Sequence, residues 1–490
     1  MQRLNGKGNN VLQELKGNQP WHIERHGLNA VPETDKTGHP MDLFWVWFAA
    51  NIGILSVLYG GIIAGYRLSF FQSLLAAAVG SLSFAIVGIL SIAGRDGGAP
   101  MLALSRAVFG ARGNLLLTMI SWVNLLGWES VTVITGTLSL EALLQAILGI
   151  QSSILNAMVS LVIFGGLVIM VGLFGQATLV IIQKVAAWCF GLLTLGVIIL
   201  LLQGGGWHQT LAMQSGSWMG GFLPAVSIIM AGTGISWGNA AADYSRYQAL
   251  TTRKRSIFAA VTMGSVIPVF VLMMVGVVLA NRVPNLPAAA NPIAAIGALL
   301  PRWMMIPYLI TAVGGMLAQA DLGLYSSGLN LLTLGVRTAR HKTVLVDAVI
   351  MTLVTVYVLF IRKDFMGPFE AFMSLGGVFL AAWEAMFMVD QWLVRRWGAY
   401  PAYCYGDLRG SSLLRGQSVR SLALVCFAIG VVSGLLFTNS PFFNGPLAQG
   451  IFAGSNLGVL LAFLVSGMAY VIVLLWQRAM NKGEMLTGSG

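Results

Sequence analysis

Runs of about twenty apolar residues recur along nearly the whole of this 490-residue chain, and a helix of that length matches the thickness of a bilayer's hydrocarbon core. Hydrophobic residues make up 57% of the chain and charged residues only 9%, so little of it suits a water-exposed surface. The sequence therefore predicts an all-α membrane protein that crosses the bilayer many times.

Hydropathy predicts twelve transmembrane helices, with loops too short to hold a separate soluble domain. The polar stretch after the second span predicts a short helix over Met101–Phe109 at the cytoplasmic membrane surface. The twelve predicted spans lie near residues 44–65, 68–93, 114–145, 152–173, 177–203, 221–245, 256–280, 304–335, 343–361, 368–394, 418–437 and 457–477.

Most of the 28 lysines and arginines fall on the side of this topology that carries both termini. Cytoplasmic loops carry such an excess, so we expect a multi-pass cell-membrane protein with its N- and C-termini in the cytoplasm. The net charge of +11 then belongs to loops beside anionic lipid, which leaves little to support a nucleic-acid partner. We expect no cofactor and no metal site, and the oligomeric state stays open.

Two predicted spans are interrupted by glycines and polar residues near mid-depth. Residues 230–247 read MAGTGISWGNAAADYSRY, and residues 45–65 of the first span hold a similar mixture. Irregular backbone persists at membrane depth only where it is buried in protein or lines a cavity, and a pair of such spans is typical of a transporter's binding site. Their spacing predicts a 5+5 inverted-repeat secondary transporter with broken helices 1 and 6. The predicted parts are a cytoplasmic N-terminal tail (1–43), a ten-helix transport core (44–397), helices 11 and 12 (398–477) and a cytoplasmic C-terminal tail (478–490).

Five stretches resemble the purine-cytosine permease branch of the nucleobase:cation symporter family, in the same order along the chain. The resemblance implies a symporter that imports a nucleobase or a similar flat heterocycle on a cation gradient by alternating access. The stretches are IERHGLNAVPETDKTGHPMDLFWVWFAAN (23–51), GAPMLALSRAVFGARG (98–113), LLGWESVTVITG (125–136), SWGNAAADYSRY (236–247) and LYSSGLNLLTLG (324–335).

The resemblance also implies that the substrate ring lies between Trp128 on span 3 and Trp237 at the break of span 6. Stacking on an aromatic side chain contributes about 1–3 kcal/mol per base. Thr132 lies one helical turn after Trp128, where the family often carries an amide, and Gly323 stands where it usually carries an asparagine. Small polar residues at these sites also suit ordinary helix packing. The substrate-binding candidates are Trp128, Thr132, Gly234, Ser236, Trp237, Asn239, Ser56 and Gly323.

Sodium-coupled relatives place hydroxyls where this chain has Leu317 and Ala318. Apolar side chains do not coordinate a hard cation, so we favour H+ over Na+ as the coupling ion. Ionisable residues inside spans are costly and functional by default, and a carboxyl in an apolar cavity has a raised pKa. The ammonium of Lys184 could occupy the place of the missing sodium, or Lys184 could form a static ion pair with Asp321 or Glu384. We expect a structural pair between Asp243 and Arg246 at the end of span 6. The coupling candidates are Asp321, Glu129, Lys184 and Glu384.

Other functions remain open at this stage. One alternative is a sodium-coupled carrier of the same fold for hydantoins, allantoin or a vitamin precursor, and another is a nutrient receptor that binds without transport. An intramembrane enzyme is disfavoured because the sequence holds no recognisable metal or nucleophile constellation. The identity of the heterocycle is undetermined, since a single hydroxyl changes which edge of a ring is recognised.

Overall fold

A computed structural model describes residues 19–22, 24, 26–283, 286, 289, 291–362, 366–396, 398–406 and 419–487, with side chains up to residue 480. The predictions for the first 18 residues, for residues 407–418 and for the end of the C-terminal tail lie outside this part of the chain.

The described residues are almost entirely helical. Among them, ten helices are long and apolar enough to cross a membrane, and one bent helix pair makes eleven. The helix Ser421–Leu436 has only 16 residues, so the twelve-helix count and the inverted repeat stay predictions. Numbered in chain order, spans 1 to 12 are Pro40–Asn51 with Ile54–Gly65, Phe70–Leu82 with Phe84–Gly97, Asn114–Leu148, Ile154–Gly172, Gln176–Gln203, Trp218–Ser245, Lys254–Ala280, Arg302–Thr333, Arg340–Arg362, Met366–Arg395, Ser421–Leu436 and Gly458–Thr487.

Shorter elements lie between the spans. They are the helices Met101–Phe109, Trp207–Leu211 and Pro292–Gly297, the 3-10 helices Ala402–Cys404 and Gly450–Phe452, and an antiparallel pair of two-residue strands, Asn439–Ser440 and Phe443–Asn444.

Burial separates an inner set of spans from an outer set. The most apolar window of span 6 is 72% buried, whereas the value is 33% for spans 4, 9 and 12 and 22% for span 5. The exposed faces of the outer spans are mainly apolar, as lipid contact requires. Polar groups on the inner spans are therefore shielded from both lipid and water.

Both predicted breaks are present. Span 1 bends by 59° between Asn51 and Ile54. Span 6 is interrupted at Thr233, where φ is −122° and ψ is −109°, and again by a 3-10 turn at Gly238–Ala240. Gly60 lies within intact helix and not at the break; a Cβ there would collide with the backbone of span 7.

A serine side chain closes each break in the same way. Ser56 Oγ donates to the Asn51 carbonyl at 3.1 Å, and Ser236 Oγ donates to the Ala231 carbonyl. Each serine follows its acceptor by five residues, so the hydroxyl replaces a backbone donor that the interrupted helix lacks.

The helix Met101–Phe109 has the predicted bounds, but its predicted place at the surface was wrong. All nine of its residues are buried. The Met101 N–H donates to Asp243 Oδ1 at 2.8 Å, so an acidic side chain from span 6 caps the helix inside the protein. Asp243 therefore serves this helix and does not form the predicted ion pair with Arg246.

Candidate functional site

A small cavity lies between the breaks of spans 1 and 6 and is closed by span 8. Its volume is about 10 Å³, which is room for about one water molecule. A flat heterocycle would need the surrounding side chains to move apart. The residues that give the wall its polar and aromatic character are Asn51, Ser56, Tyr59, Thr233, Trp237 and Gln319.

The two predicted tryptophans occupy different places around this cavity. Trp237 is part of its wall and packs edge-on against Trp47, with ring centroids 5.6 Å apart. Trp128 is buried on span 3 and packs edge-on against Phe369 at 5.8 Å. Phe369 in turn stacks on the cavity residue Tyr59 at 6.2 Å. The structure thus connects Trp128 to the cavity through two intervening aromatic rings.

Gln319 is a candidate that reasoning from the sequence missed. Its side chain is 7% exposed and lines the cavity opposite Gly53 on span 1. It lies one helical turn before Gly323 on the same face of span 8, and an amide both donates and accepts hydrogen bonds. Its position four residues before Gly323 is the sequence signal that would have identified Gln319.

The remaining polar candidates are engaged within the protein. Thr132 Oγ1 donates to the Glu129 carbonyl at 2.8 Å. Asn239 Nδ2 donates to Ser121 Oγ at 2.9 Å, and Asn330 of span 8 donates to the same oxygen at 2.7 Å. Asn239 therefore joins spans 3, 6 and 8 and is not part of the cavity wall.

Gly234, one of the predicted substrate-binding residues, has both of its backbone polar groups bonded within the protein. Its N–H donates to Ser83 Oγ at 3.0 Å, and its carbonyl accepts from the Gly238 N–H. Ser83 lies at a kink of span 2 that the sequence did not predict, and it also bonds Thr233 Oγ1 at 3.1 Å. A buried N–H needs a partner, and the neighbouring span supplies it.

A column of aromatic rings closes the site toward the end of the bundle that carries the N-terminal segment, which we define as Glu24 with residues 26–36. Trp47 packs edge-on against Tyr244 at 5.6 Å, and Tyr244 lies 5.9 Å from Tyr325. The Tyr244 hydroxyl donates to the Leu322 carbonyl at 2.8 Å. The cavity is therefore separated from that end by several layers of packed side chains.

A buried ion pair fastens the N-terminal segment below this column. Arg246 bonds Glu24 and also donates to the Gly27 carbonyl at 2.7 Å, and the Tyr325 hydroxyl donates to Glu24 at 2.7 Å. The two charged side chains are 0% and 1% exposed. This pair replaces the predicted pairing of Arg246 with Asp243.

The charge of Glu24 is held by its surroundings. Burial alone would raise the pKa of this carboxyl, but the charges of Arg246 and Arg340 and the hydrogen bonds of Tyr247 and Tyr325 keep the pKa below its ordinary value of 4.5. Glu24 is thus ionised at neutral pH.

Lys184 does not lie among the buried carboxylates. Its Nζ pairs with Asp42 Oδ1 at 2.6 Å, and its side chain is 42% exposed. The preceding residue, Gln183, points inward instead and donates to the Ala318 carbonyl at 2.8 Å. Neither Asp321 nor Glu384 has an ion-pair partner among the described residues.

The three predicted carboxyl candidates are all buried in inner spans. Among the residues that the structure describes, no hydrogen-bond partner reaches either carboxyl oxygen of Glu129 or Glu384, or Oδ2 of Asp321. A Cβ at Gly238, the residue after Trp237, would collide with Glu384. In the part of the chain that is described, no group of three or more His, Cys, Asp or Glu side chains is placed to hold a metal ion.

A larger cavity of about 40 Å³ lies on the other side of Gly53. Its wall is aliphatic apart from Tyr308 and the hydroxyls of Thr194 and Thr311, and Thr311 already donates to a backbone carbonyl. Such a wall offers little to the polar edge of a heterocycle, so the cavity beside Trp237 is the better candidate.

Comparison with known proteins decides the family. A family model described as "permease for cytosine/purines, uracil, thiamine, allantoin" matches residues 30–476. The chain belongs to this family of permeases. It is therefore a multi-pass membrane transporter of the nucleobase–cation symporter class and not an enzyme.

Relatives of this permease match over almost their whole length. The Bacillus subtilis protein YxlA is 28% identical over 466 residues, which cover 92% of this chain and 96% of that protein. The purine-cytosine permease fcyB of Emericella nidulans is 22% identical, covering 92% of this chain and 88% of fcyB. The structure of Mhp1, a nucleobase-cation-symport-1 family transporter in a closed conformation with bromovinylhydantoin bound, has a TM-score of 0.74 at 17% identity, covering 93% of this permease and 96% of Mhp1. The permease thus shares the fold of Mhp1.

Proposed function

We propose that this permease is a proton-coupled symporter that imports a nucleobase or a similar flat heterocycle by alternating access. The observation that carries the proposal is the cavity at the two helix breaks, where the ring of Trp237 and the amide of Gln319 line one space. An aromatic face provides stacking and an amide recognises the edge of a ring, which together suit a flat polar heterocycle. Trp128 would complete the clamp when the rings of Phe369 and Tyr59 move aside.

Proton coupling is supported by the residues at the position where sodium-coupled relatives hold their cation. The Ala318 carbonyl accepts from Gln183, and the side chains of Leu317 and Ala318 offer no oxygen. A hard cation would find few ligands there. The buried carboxyls of Glu129 and Asp321 supply groups that can bind a proton.

The distribution of basic residues supports cytoplasmic termini, as argued from the sequence. On this orientation the ion pair of Glu24 and Arg246 closes the cytoplasmic side. Inward opening would then require the N-terminal segment to separate from the ends of spans 5, 6 and 8.

Substrate binding is tested on the purified, full-length protein by thermal shift with cytosine, adenine, uracil, allantoin and hydantoin. At least one of these heterocycles should stabilise the wild type, and Trp237→Ala should abolish that shift while folding is retained. Trp303→Ala is the matched control, because this tryptophan is 67% exposed on span 8. Wild-type binding in Trp237→Ala would refute the site.

Coupling is tested in proteoliposomes with the heterocycle that binds best. We expect an inward proton gradient to drive accumulation without sodium, and a proton uncoupler to abolish it. Uptake that requires sodium and ignores the uncoupler would favour the sodium-coupled alternative. Binding without any counterflow would identify a receptor instead of a transporter.

A further inference from the structure

A second buried carboxyl, which the sequence analysis did not include, lies on span 9 where this span packs against spans 3 and 8. Asp347 on span 9 is 0% exposed. Its Oδ1 accepts from Trp122 Nε1 at 3.1 Å, and its Oδ2 accepts from Ser327 Oγ of span 8 at 3.0 Å. Asp347 is therefore bonded to span 3, which carries Glu129, and to span 8, against which Glu129 packs at Gly323.

The side chain of Glu129 lies in the same region. It is 1% exposed, and within the described part of the chain neither of its carboxyl oxygens has a hydrogen-bond partner. The absence of a side chain at Gly323 leaves room for it, because a Cβ there would lie 3.2 Å from Glu129 Cγ. Ser327 lies one helical turn after Gly323 on the same face of span 8, so the Asp347 carboxyl that it bonds lies on the side of span 8 that Glu129 packs against.

No cation balances the two carboxyls. Among the described residues, the ion pairs include neither Glu129 nor Asp347. Arg340, the first residue of span 9, donates instead to the Phe174 carbonyl and lies over the ring of Tyr325 at 5.0 Å. Two carboxylates that share a dry site without a cation are not both ionised at low cost, so one proton stabilises the pair.

We propose that Glu129 and Asp347 together bind the coupling proton, with the Ser327 hydroxyl as the bridge between them. When Glu129 is protonated, its O–H can donate to Ser327 Oγ while the Ser327 O–H donates to Asp347. If Glu129 transfers its proton to Ser327 and Ser327 passes its own to Asp347, one proton moves between the carboxyls and no other bond changes. This proposal rests on the proton coupling proposed above and names the group that performs it.

The location of the pair connects it to the substrate cavity by two routes. Glu129 directly follows Trp128 on span 3. On span 8, Gln319, Gly323 and Ser327 are spaced by four residues and so lie along one helical face. That face runs from the cavity wall at Gln319 to the bridge at Ser327, so protonation of the pair and occupation of the cavity act on the same two helices.

The pair can be tested without a substrate, by infrared difference spectroscopy of the full-length protein in lipid during a pH titration. The C=O stretch of protonated carboxylic acids reports both groups. In Glu129→Gln and in Asp347→Asn, the midpoint at which the remaining carboxyl loses its proton should lie about one pH unit or more below the upper midpoint of the wild-type pair. The reason is that the second carboxylate no longer repels its charge. Glu141→Gln is the control, since Glu141 lies on the same helix but accepts from Gln145 and Ser152.

Midpoints in Glu129→Gln and Asp347→Asn that equal the wild-type value, as expected for Glu141→Gln, would refute the pair. Ser327→Ala keeps both carboxyls and should change the shape and midpoint of the titration; an unchanged titration would refute the bridge even if the carboxyl variants fold poorly. Asp347→Glu keeps a carboxyl at this position and should therefore keep the coupled titration of the wild type.

Transport separates this proposal from the proposed function. If a proton gradient drives uptake of cytosine or adenine by the wild type, Asp347→Asn should retain counterflow and lose accumulation. Accumulation that survives in Asp347→Asn would overturn the assignment of the coupling proton to the pair. A wild type that ignores the proton gradient while the infrared titration shows coupled carboxyls would refute proton coupling and leave the pair as a proton-binding site.

Discussion

Replacing Glu24 with glutamine should release the N-terminal segment from the membrane domain. Glutamine keeps the size of the side chain and removes its charge, so Arg246 stays buried without a counter-ion. Removing one partner of a buried ion pair costs about 3–5 kcal/mol, because the other charge is left uncompensated. At about 1.4 kcal/mol per factor of ten, the undocked population should rise by about 100-fold or more.

Hydrogen exchange measures this undocking directly. Amides in residues 26–36 and 172–178 should exchange about 100-fold or more faster in Glu24→Gln, since Val31 donates to the Gly98 carbonyl and Gln176 donates to Glu24 only while the segment is docked. Glu33→Gln is the matched control in the same segment. Glu33 pairs with Lys36 at 2.8 Å but is 54% exposed, so its loss should cost at most about 1 kcal/mol. Equal exchange rates in the two variants would refute the reasoning.

The pH dependence of docking gives the same prediction a second readout. The folded-state pKa of Glu24 is depressed, so its contribution is complete above its ordinary value of 4.5 and is lost only as pH falls below it, through the folded pKa. After correction for the intrinsic pH dependence of exchange, the protection of amides in residues 26–36 should therefore stay constant between pH 5 and pH 8. Undocking near neutral pH would contradict this account of Glu24.

Three further changes test the cavity and its frame. Gln319→Ala should weaken heterocycle binding by about 10- to 100-fold, measured by titration calorimetry, because a buried ring edge loses a hydrogen-bond partner worth about 1–3 kcal/mol; unchanged affinity would remove Gln319 from the site. Ser83→Ala leaves the Gly234 N–H unpaired and should destabilise the protein by about 1–3 kcal/mol in chemical unfolding, whereas wild-type stability would show that another group takes over. Gly60→Ala should lower the thermal midpoint because its Cβ would collide with span 7, while Gly65→Ala, with nothing within 4 Å, should not; similar midpoints would contradict the close packing.

Local sequence was sufficient for the helices and for the two breaks. The length of each apolar run and the clusters of glycine and polar residues at Asn51–Ile54 and Gly232–Ala240 are local properties, and the structure has spans and interruptions at those places. The kink at Ser83 could not be predicted in the same way. A lone serine is common in helices, and its importance here comes from Thr233 and Gly234 on another span.

The candidate site was only partly accessible from sequence, because a helix has several faces. Lys184 and Gln183 differ by one residue, which rotates a side chain by about 100° around the helix axis. That rotation places the amide of Gln183 against span 8 and the ammonium of Lys184 beside Asp42. Asp347 lies close to a predicted span end at residue 343, where sequence does not distinguish a solvated carboxyl from a buried one.

The sequence by itself determined the class of this protein, the location of its spans and the two places where helices break, because apolar length and backbone irregularity act within a single helix. Only the tertiary structure decided which polar groups meet. Arg246 and Glu24 are 222 residues apart, Asp243 caps a helix that begins at Met101, and Glu129 packs against Gly323 on another span. The physical reason is that packing chooses which face of each helix turns inward, and buried polar groups then pair with the partners that those faces supply.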